Sequence, residues 1–182
     1  MRSRSRPAGK LTAKKICALS LMGALIFTIK FALASIPNVQ CNAVLIILCT
    51  VFFGWEALYS VMIYVMLEGL VFGFSIWWFG YLYTWPLLVV IAMALRRHDD
   101  TVVWAVTAGV FGLIFGPLMY LEYFAINGGW QGFAAMWVSG IPYDLVHCAS
   151  NCIITFVLYR PLYHVTERLL GPPDFKKQSP QD

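Results

Sequence analysis

Long apolar runs separated by short polar breaks dominate this chain. They fall at about 13–35, 43–55, 57–76, 79–95, 102–126 and 141–163, and each comes near or reaches the roughly 20 residues that an α-helix needs to cross bilayer hydrocarbon. The pattern predicts an all-α polytopic membrane protein with six transmembrane helices in one bundle. The second run is short and meets its neighbour at a tight turn, Trp55-Glu56, so this pair is expected to be tilted, kinked or short of a full crossing. The remaining stretches divide the chain into a basic tail (1–12), the membrane domain (13–165) and a second tail (166–182).

Composition supports the same class. Hydrophobic residues make up 60% and charged residues 12%, against about 25% charged in soluble domains. The charge of +4 is no nucleic-acid signal, because the basic residues lie in the tails and one loop. Arg2, Arg4, Arg6, Lys10, Lys14 and Lys15 precede the first run, Arg96 and Arg97 follow the fourth, and Arg160, Arg168, Lys176 and Lys177 close the chain. Six crossings put all of these on one side, which the positive-inside rule makes cytoplasmic, with both termini there and only Lys30 elsewhere. The outer loops, 36–42, 75–80 and 127–136, carry no charge. The basic start followed by an apolar run resembles a signal peptide, but the run is long enough to span and is expected to stay attached.

Charge and polarity inside the runs carry the candidate chemistry. Asp144, His147 and Asn151 are three and four residues apart and share one helical face. Ionisable groups are costly in hydrocarbon, so such a face is expected to line a protein cavity. Counting turns from the basic side places Lys30, Glu68 and this trio at one level in the outer half, the height of a small-molecule pocket rather than a channel. Glu68 either faces a ligand or pairs with Lys30. For Asp144 alone the alternative is a helix start, since Pro142 suits a first turn and the helix dipole favours a carboxylate there. Trp77, Trp78, Tyr81, Tyr83, Trp85, Trp130, Trp137 and Tyr143 crowd the outer end; most suit an interfacial belt, whereas Trp85 and Tyr143 suit either the belt or stacking on a ligand. Cys17, Cys41, Cys49, Cys148 and Cys152 are scattered through apolar runs and read as packing residues rather than a disulfide framework or metal ligands. On the first helix Ala13, Cys17, Ser20 and Ala24 form a stripe of small side chains, suited to close approach of a helix from this bundle or from a partner.

Over nearly its whole length the chain resembles the S component, the substrate-binding membrane subunit, of energy-coupling factor (ECF) type vitamin transporters. The likeness rests on the basic start, the small-residue first helix, Ser35-Ile36-Pro37-Asn38-Val39 leaving it, six helices in about 180 residues, and Gly140-Ile141-Pro142-Tyr143-Asp144-Leu145-Val146-His147 followed by Asn151. The resemblance implies a subunit of a bacterial plasma membrane, without catalysis, cofactor or metal, that captures a vitamin or precursor at the outer face. It also implies docking on a coupling module of one transmembrane subunit and two ATPases. Substrate contacts would come from Asp144, His147, Asn151, Glu68, Trp85 and Tyr143. Docking would use Ala13, Cys17, Ser20 and Ala24, a degenerate form of the family's Ala-xxx-Ala motif, and Pro37 and Asn38 would belong to the gating loop. The chain has no phosphate-binding Gly-x-x-x-x-Gly-Lys loop, as expected if ATP hydrolysis belongs to the partner. Two other readings stay open: a membrane enzyme using Asp144 and His147 as an acid–base pair, and a scaffold whose polar face only holds the bundle together.

Overall fold

A computed structural model describes residues 12–36, 39–124, 129–173 and 175, and among these every regular element is helical. The helices are α1 (Ala13–Ala32), α2 (Asn42–Phe53), α3 (Ala57–Phe72), α4 (Ile76–Leu95), α5 (Thr101–Tyr120) and α6 (Gly129–Leu170). Five helical stretches, 13–32, 42–72, 76–95, 101–123 and 129–170, are long and apolar enough to cross a membrane. The described residues are thus all-helical, with helices of the length and apolarity that a membrane protein uses.

The stretch 42–72 is folded back on itself. Gly54 sits at φ +63°, a conformation that glycine adopts without penalty, and starts the three-residue 3-10 turn Gly54–Glu56. Across that turn Asn42 Nδ2 donates to the Tyr64 hydroxyl at 2.9 Å and Cys49 Sγ to Ser60 Oγ at 3.3 Å, the nested pairing of an antiparallel hairpin. With 12 residues α2 rises only about 18 Å, short of the roughly 30 Å hydrocarbon layer. It is buried from Asn42 to Phe52 and touches all five other helices, so it forms the bundle's centre. Its apolar character on every side follows from that position.

Two pairs of helices approach unusually closely. On α1, a Cβ added to Gly23 would lie 2.7 Å from the Ser60 carbonyl of α3, and Ser60 Oγ donates to the Leu19 carbonyl at 2.7 Å. On α5, Gly109, Gly112 and Gly116 recur at three and four residues and face the antiparallel α6; a Cβ on Gly112 would lie 2.8 Å from the His147 carbonyl. Without side chains between them, helix backbones can pack at this range in lipid.

One end of the bundle gathers the charges. Lys15 pairs with Glu56, Arg96 Nε donates to the Val51 carbonyl at 3.4 Å, and Arg160 pairs with Asp99 at 3.0 Å. The start of α1, the α2–α3 turn, the α4–α5 connection and the later part of α6 therefore share a level, while Lys30 lies at the far end of α1.

The boundaries of α6 correct the expectation drawn from the sequence. The helix begins at Gly129, not near 141, and its 42 residues rise about 63 Å, so most of the expected outer loop 127–136 is helical. Pro142 lies inside this helix rather than in its first turn, which removes the helix-start explanation for Asp144. The segment expected to start at 79 likewise begins at Ile76.

Candidate functional site

Lys30, in the last turn of α1, anchors a polar cluster in the interior. Its ammonium lies 2.5 Å from Glu68 Oε2 on α3 and donates to the Tyr81 hydroxyl on α4 at 3.0 Å. It also lies 4.8 Å from the Tyr81 ring centre and 5.8 Å from that of Tyr64. Glu68 is 1% exposed, and its second oxygen, Oε1, has no hydrogen-bond partner among the described residues. Three helices thus bring one ion pair and two phenols to a single point. Glu68 pairs with Lys30, as one of the two readings of the sequence had it.

An aromatic wall continues from there. The buried Trp85 packs with Tyr64, Tyr81, Phe111 and Phe115 at centroid distances of 5.6, 5.8, 5.8 and 5.2 Å. Its indole N–H has no partner among the described residues. Phe115 meets the His147 ring edge-on at 4.9 Å, and His147 Nε2 lies 2.6 Å from the Gln40 amide nitrogen, so α6 touches the segment joining α1 to α2.

Two recesses open on this wall. One, of about 290 Å³, is lined by Lys30, Phe31, Ala34, Glu68, Phe72, Trp77 and Tyr81. The other, of about 250 Å³, is lined by Lys30, Leu33, Ala34, Ile36, Val39, Gln40, Tyr81 and Phe115. They share Lys30, Ala34 and Tyr81, so the ammonium is reached from both.

The residues singled out in the sequence separate into two groups. Lys30 and Glu68 line a recess, whereas Trp85 and His147 are buried behind its wall, Trp85 against Tyr81 and Phe115 and His147 against Phe115 and Gln40, and line neither recess. Asp144 and Asn151 are buried, at 6% and 1% exposure, but line neither recess. Their partner is the glycine face of α5. The Asp144 carboxylate occupies the space a Gly116 side chain would fill, and Asn151 Nδ2 lies 2.9 Å from a Cβ built on Gly112. Asp144 Oδ2 and Asn151 Oδ1 have no hydrogen-bond partner among the described residues. Tyr143 is 62% exposed and points away from the site, because its position on α6 is about 100° from Asp144. The expected stacking role for Tyr143 is therefore corrected, and Tyr81 and Phe115 stand beside Trp85 instead.

On α1, Ala13 and Cys17 are exposed and Ser20 and Ala24 half-buried, with Ile16, Leu21 and Leu25 exposed beside them. The stripe faces partly outward, while the close contact to α3 is made by Gly23. Pro37 and Asn38 of the expected gating loop lie outside the described residues, flanked by Ile36, Val39 and Gln40 of the second recess. All five cysteines are free, and among the described residues no group of three His, Cys, Asp or Glu side chains converges as a metal site would require.

Tyr64, Phe115, Gln40 and Asn42 were not distinguished in the sequence. Tyr64 and Phe115 sit in apolar runs where an aromatic is unremarked, and Gln40 lies in an uncharged loop, so only the three-dimensional meeting marks them. Comparison of the chain with protein-family models, with curated proteins and with solved structures returns no match.

Proposed function

We propose that this protein is the substrate-capturing membrane subunit of an ECF-type importer. It would bind a vitamin or vitamin precursor in the aromatic recess at Lys30 and hand it to a coupling module formed by a transmembrane subunit and two ATPases. In this reading the chain crosses a bacterial plasma membrane six times, α2 incompletely, with both termini and the charged end cytoplasmic and the recess opening outward. The observation that carries it is the Lys30–Glu68 pair, which sits opposite the charged end on the wall of an open recess. Ion pairs placed at such depth cost solvation energy and normally mark a handled ligand or ion. A binding subunit also needs a face for its partner, and the half-exposed small-residue stripe of α1 suits that role.

Mass spectrometry of small molecules extracted from the purified protein tests capture: a stoichiometric organic ligand is expected, and an empty extract from an otherwise folded, transport-competent preparation would argue against it. Docking is tested separately. Ala24→Trp is expected to reduce co-purification of the ATPase subunits about 10-fold, the effect of losing one packed contact worth roughly 1.4 kcal/mol.

The recess assignment makes a further prediction about aromatic residues. Phe115→Ala is expected to weaken ligand binding about 10-fold by removing a stacking face. Tyr143→Ala is expected to leave it within about twofold, because an exposed ring on the outer face of α6 contributes little. Titration of each variant with the extracted ligand checks this, and equal losses in both would move the site to the α6 face.

A further inference from the structure

We propose that the charged end of the bundle holds an anionic glycerophospholipid, its phosphate against Lys14 and Lys15 and one acyl chain laid between α1 and the end of α6. This site lies at the opposite end of α1 from Lys30 and does not rest on the capture reading.

Two recesses meet there. The first, of about 150 Å³, is lined by Lys14 and Lys15 on α1, by Phe52 and Phe53 at the end of α2, and by Gly171 and Pro172 just past α6. The second, of about 210 Å³, is walled by Leu21, Met22 and Leu25 on one side and by Thr166 and Leu169 on the other. Ala18 and Leu170 line both, so a basic head opens into an apolar groove. Lys14, Ala18, Leu21 and Leu25 are spaced by four, three and four residues, which sets the Lys14 side chain and the groove on one face of α1. The helix rises about 17 Å from 14 to 25, close to half of the roughly 30 Å hydrocarbon layer and so to the depth of one leaflet.

Charge complementarity names the headgroup. Lys15 pairs with Glu56, whereas Lys14 is exposed and has no ion pair or hydrogen bond among the described residues, so the head of the groove is net positive. The chain enters it from its most basic stretch, residues 1–15, which holds six Lys and Arg and no Asp or Glu. The Lys15–Glu56 and Arg160–Asp99 pairs mark the same end as the one that meets water, where basic pockets between membrane helices take lipid phosphates. The groove names the tail. Leu21 and Leu169 are 70% and 72% exposed, so apolar side chains flank a slot that the protein leaves open. An acyl chain fills such a slot without needing a hydrogen bond. A peptide would bring backbone N–H and C=O groups, and the one hydroxyl on the walls, Thr166 Oγ1, already donates to the Leu162 carbonyl at 2.7 Å. The small-residue stripe at 13, 17, 20 and 24 lies one position back along α1, about 100° around the helix, so a lipid here and a helix on the stripe use different faces.

The test is native mass spectrometry of the full chain in detergent micelles supplied with equimolar phosphatidylglycerol and phosphatidylethanolamine bearing the same acyl chains. We expect one phosphatidylglycerol to be retained at least about fivefold over phosphatidylethanolamine, the scale of one lysine beside an anionic headgroup. Lys14→Gln should lower that retention about fivefold and Lys14→Arg should keep it. Arg168→Gln makes the same charge change at an exposed position near this end that lines neither recess, and should leave retention within about twofold. Ala18→Phe fills the junction of the two recesses without altering charge and should reduce retention at least about 10-fold, with thermal unfolding read alongside. If Ala18→Phe does not fold, Leu25→Ser, at a 43% exposed position, carries the same test with an expected loss of about threefold. The proposal is overturned if the two lipids are retained equally, if Lys14→Gln and Arg168→Gln behave alike, or if the folded groove variant retains lipid as the native chain does. It is also overturned if glycerol phosphate, which has no acyl chain, displaces the lipid at equal concentration, since the pocket would then take a free anion. An empty recess at Lys30 leaves this result standing, and absence of the lipid leaves the capture reading standing.

Discussion

Replacing Lys30 by Met is expected to destabilise the detergent-solubilised protein by about 3–5 kcal/mol, the cost typical of stranding one partner of a buried ion pair. For a chain of this size that corresponds to a fall in the unfolding midpoint on the order of 10 °C. Glu68 is 1% exposed and its Oε1 is already unmatched, so without the ammonium the carboxylate would keep only the neighbouring Tyr64 and Tyr81 rings and apolar side chains around it. Met is close to lysine's stem in length, which confines the change largely to charge. Adding Glu68→Met should then restore most of the loss, because an apolar pair of similar volume carries no desolvation cost. Thermal unfolding of the two single variants and the double variant forms a complete cycle. A double variant whose loss equals the sum of the two single losses would show that the two side chains act independently and would remove the ion pair as the organising feature of the recess.

That pair is partly legible in the sequence. Lys30 and Glu68 stand out as charges within long apolar runs, and counting turns from the basic end puts both at one depth, which is the condition for meeting. Depth says nothing of azimuth, so whether Glu68 met Lys30 or a ligand stayed open until α1 and α3 were seen packed through Gly23 and Ser60. The existence of the helices was legible for a simpler reason: uninterrupted apolar segments near 20 residues have few alternatives in lipid. The hairpin of α2 and α3 was legible at Trp55-Glu56, whereas the central place of α2 was not, because a helix that is apolar all round can face lipid or protein equally well.

The α6 face shows where sequence reasoning stops. Three- and four-residue spacing correctly put Asp144, His147 and Asn151 on one inward face, and all three are buried. Spacing on one helix cannot name the surface opposite, and the surface opposite two of them is glycine rather than a cavity. The complementary signal was present on α5 as Gly109, Gly112 and Gly116, a small-residue stripe at helical spacing, but a stripe acquires meaning only once its partner is known. Pro142 misled for a physical reason as well. Proline inside a helix loses a hydrogen bond and costs about 3 kcal/mol in isolation, so a boundary was expected there. In lipid, tertiary packing sustains the helix, and the close contact of Gly140 with Tyr120 supports the turn just before it.

The glycine stripe yields the second large effect. Gly112→Val is expected to cost more than the roughly 1–3 kcal/mol typical of overpacking, because the added atoms meet backbone rather than a flexible side chain. A Cβ at 112 already lies 2.8 Å from the His147 carbonyl oxygen, and a branched side chain can be accommodated only if α6 moves away from α5 as a body. His147 would then withdraw from Phe115 and from Gln40, since Phe115 rides on α5 and Gln40 precedes α2. Binding in the recess should therefore fall together with stability, even though residue 112 touches no ligand. Leu113→Ala, one position along on the exposed side of α5, separates this from a general intolerance of substitution and is expected to shift the unfolding midpoint little. Opening of the α5–α6 contact has its own readout. Cys152 has its Cβ 3.2 Å from a Cβ built on Gly109, so it should react faster with a membrane-permeant maleimide in Gly112→Val than in the native chain. Native-like alkylation and an unchanged midpoint in Gly112→Val would mean that α6 is not held against α5 through these glycines, and the burial of Asp144 and Asn151 would need another cause.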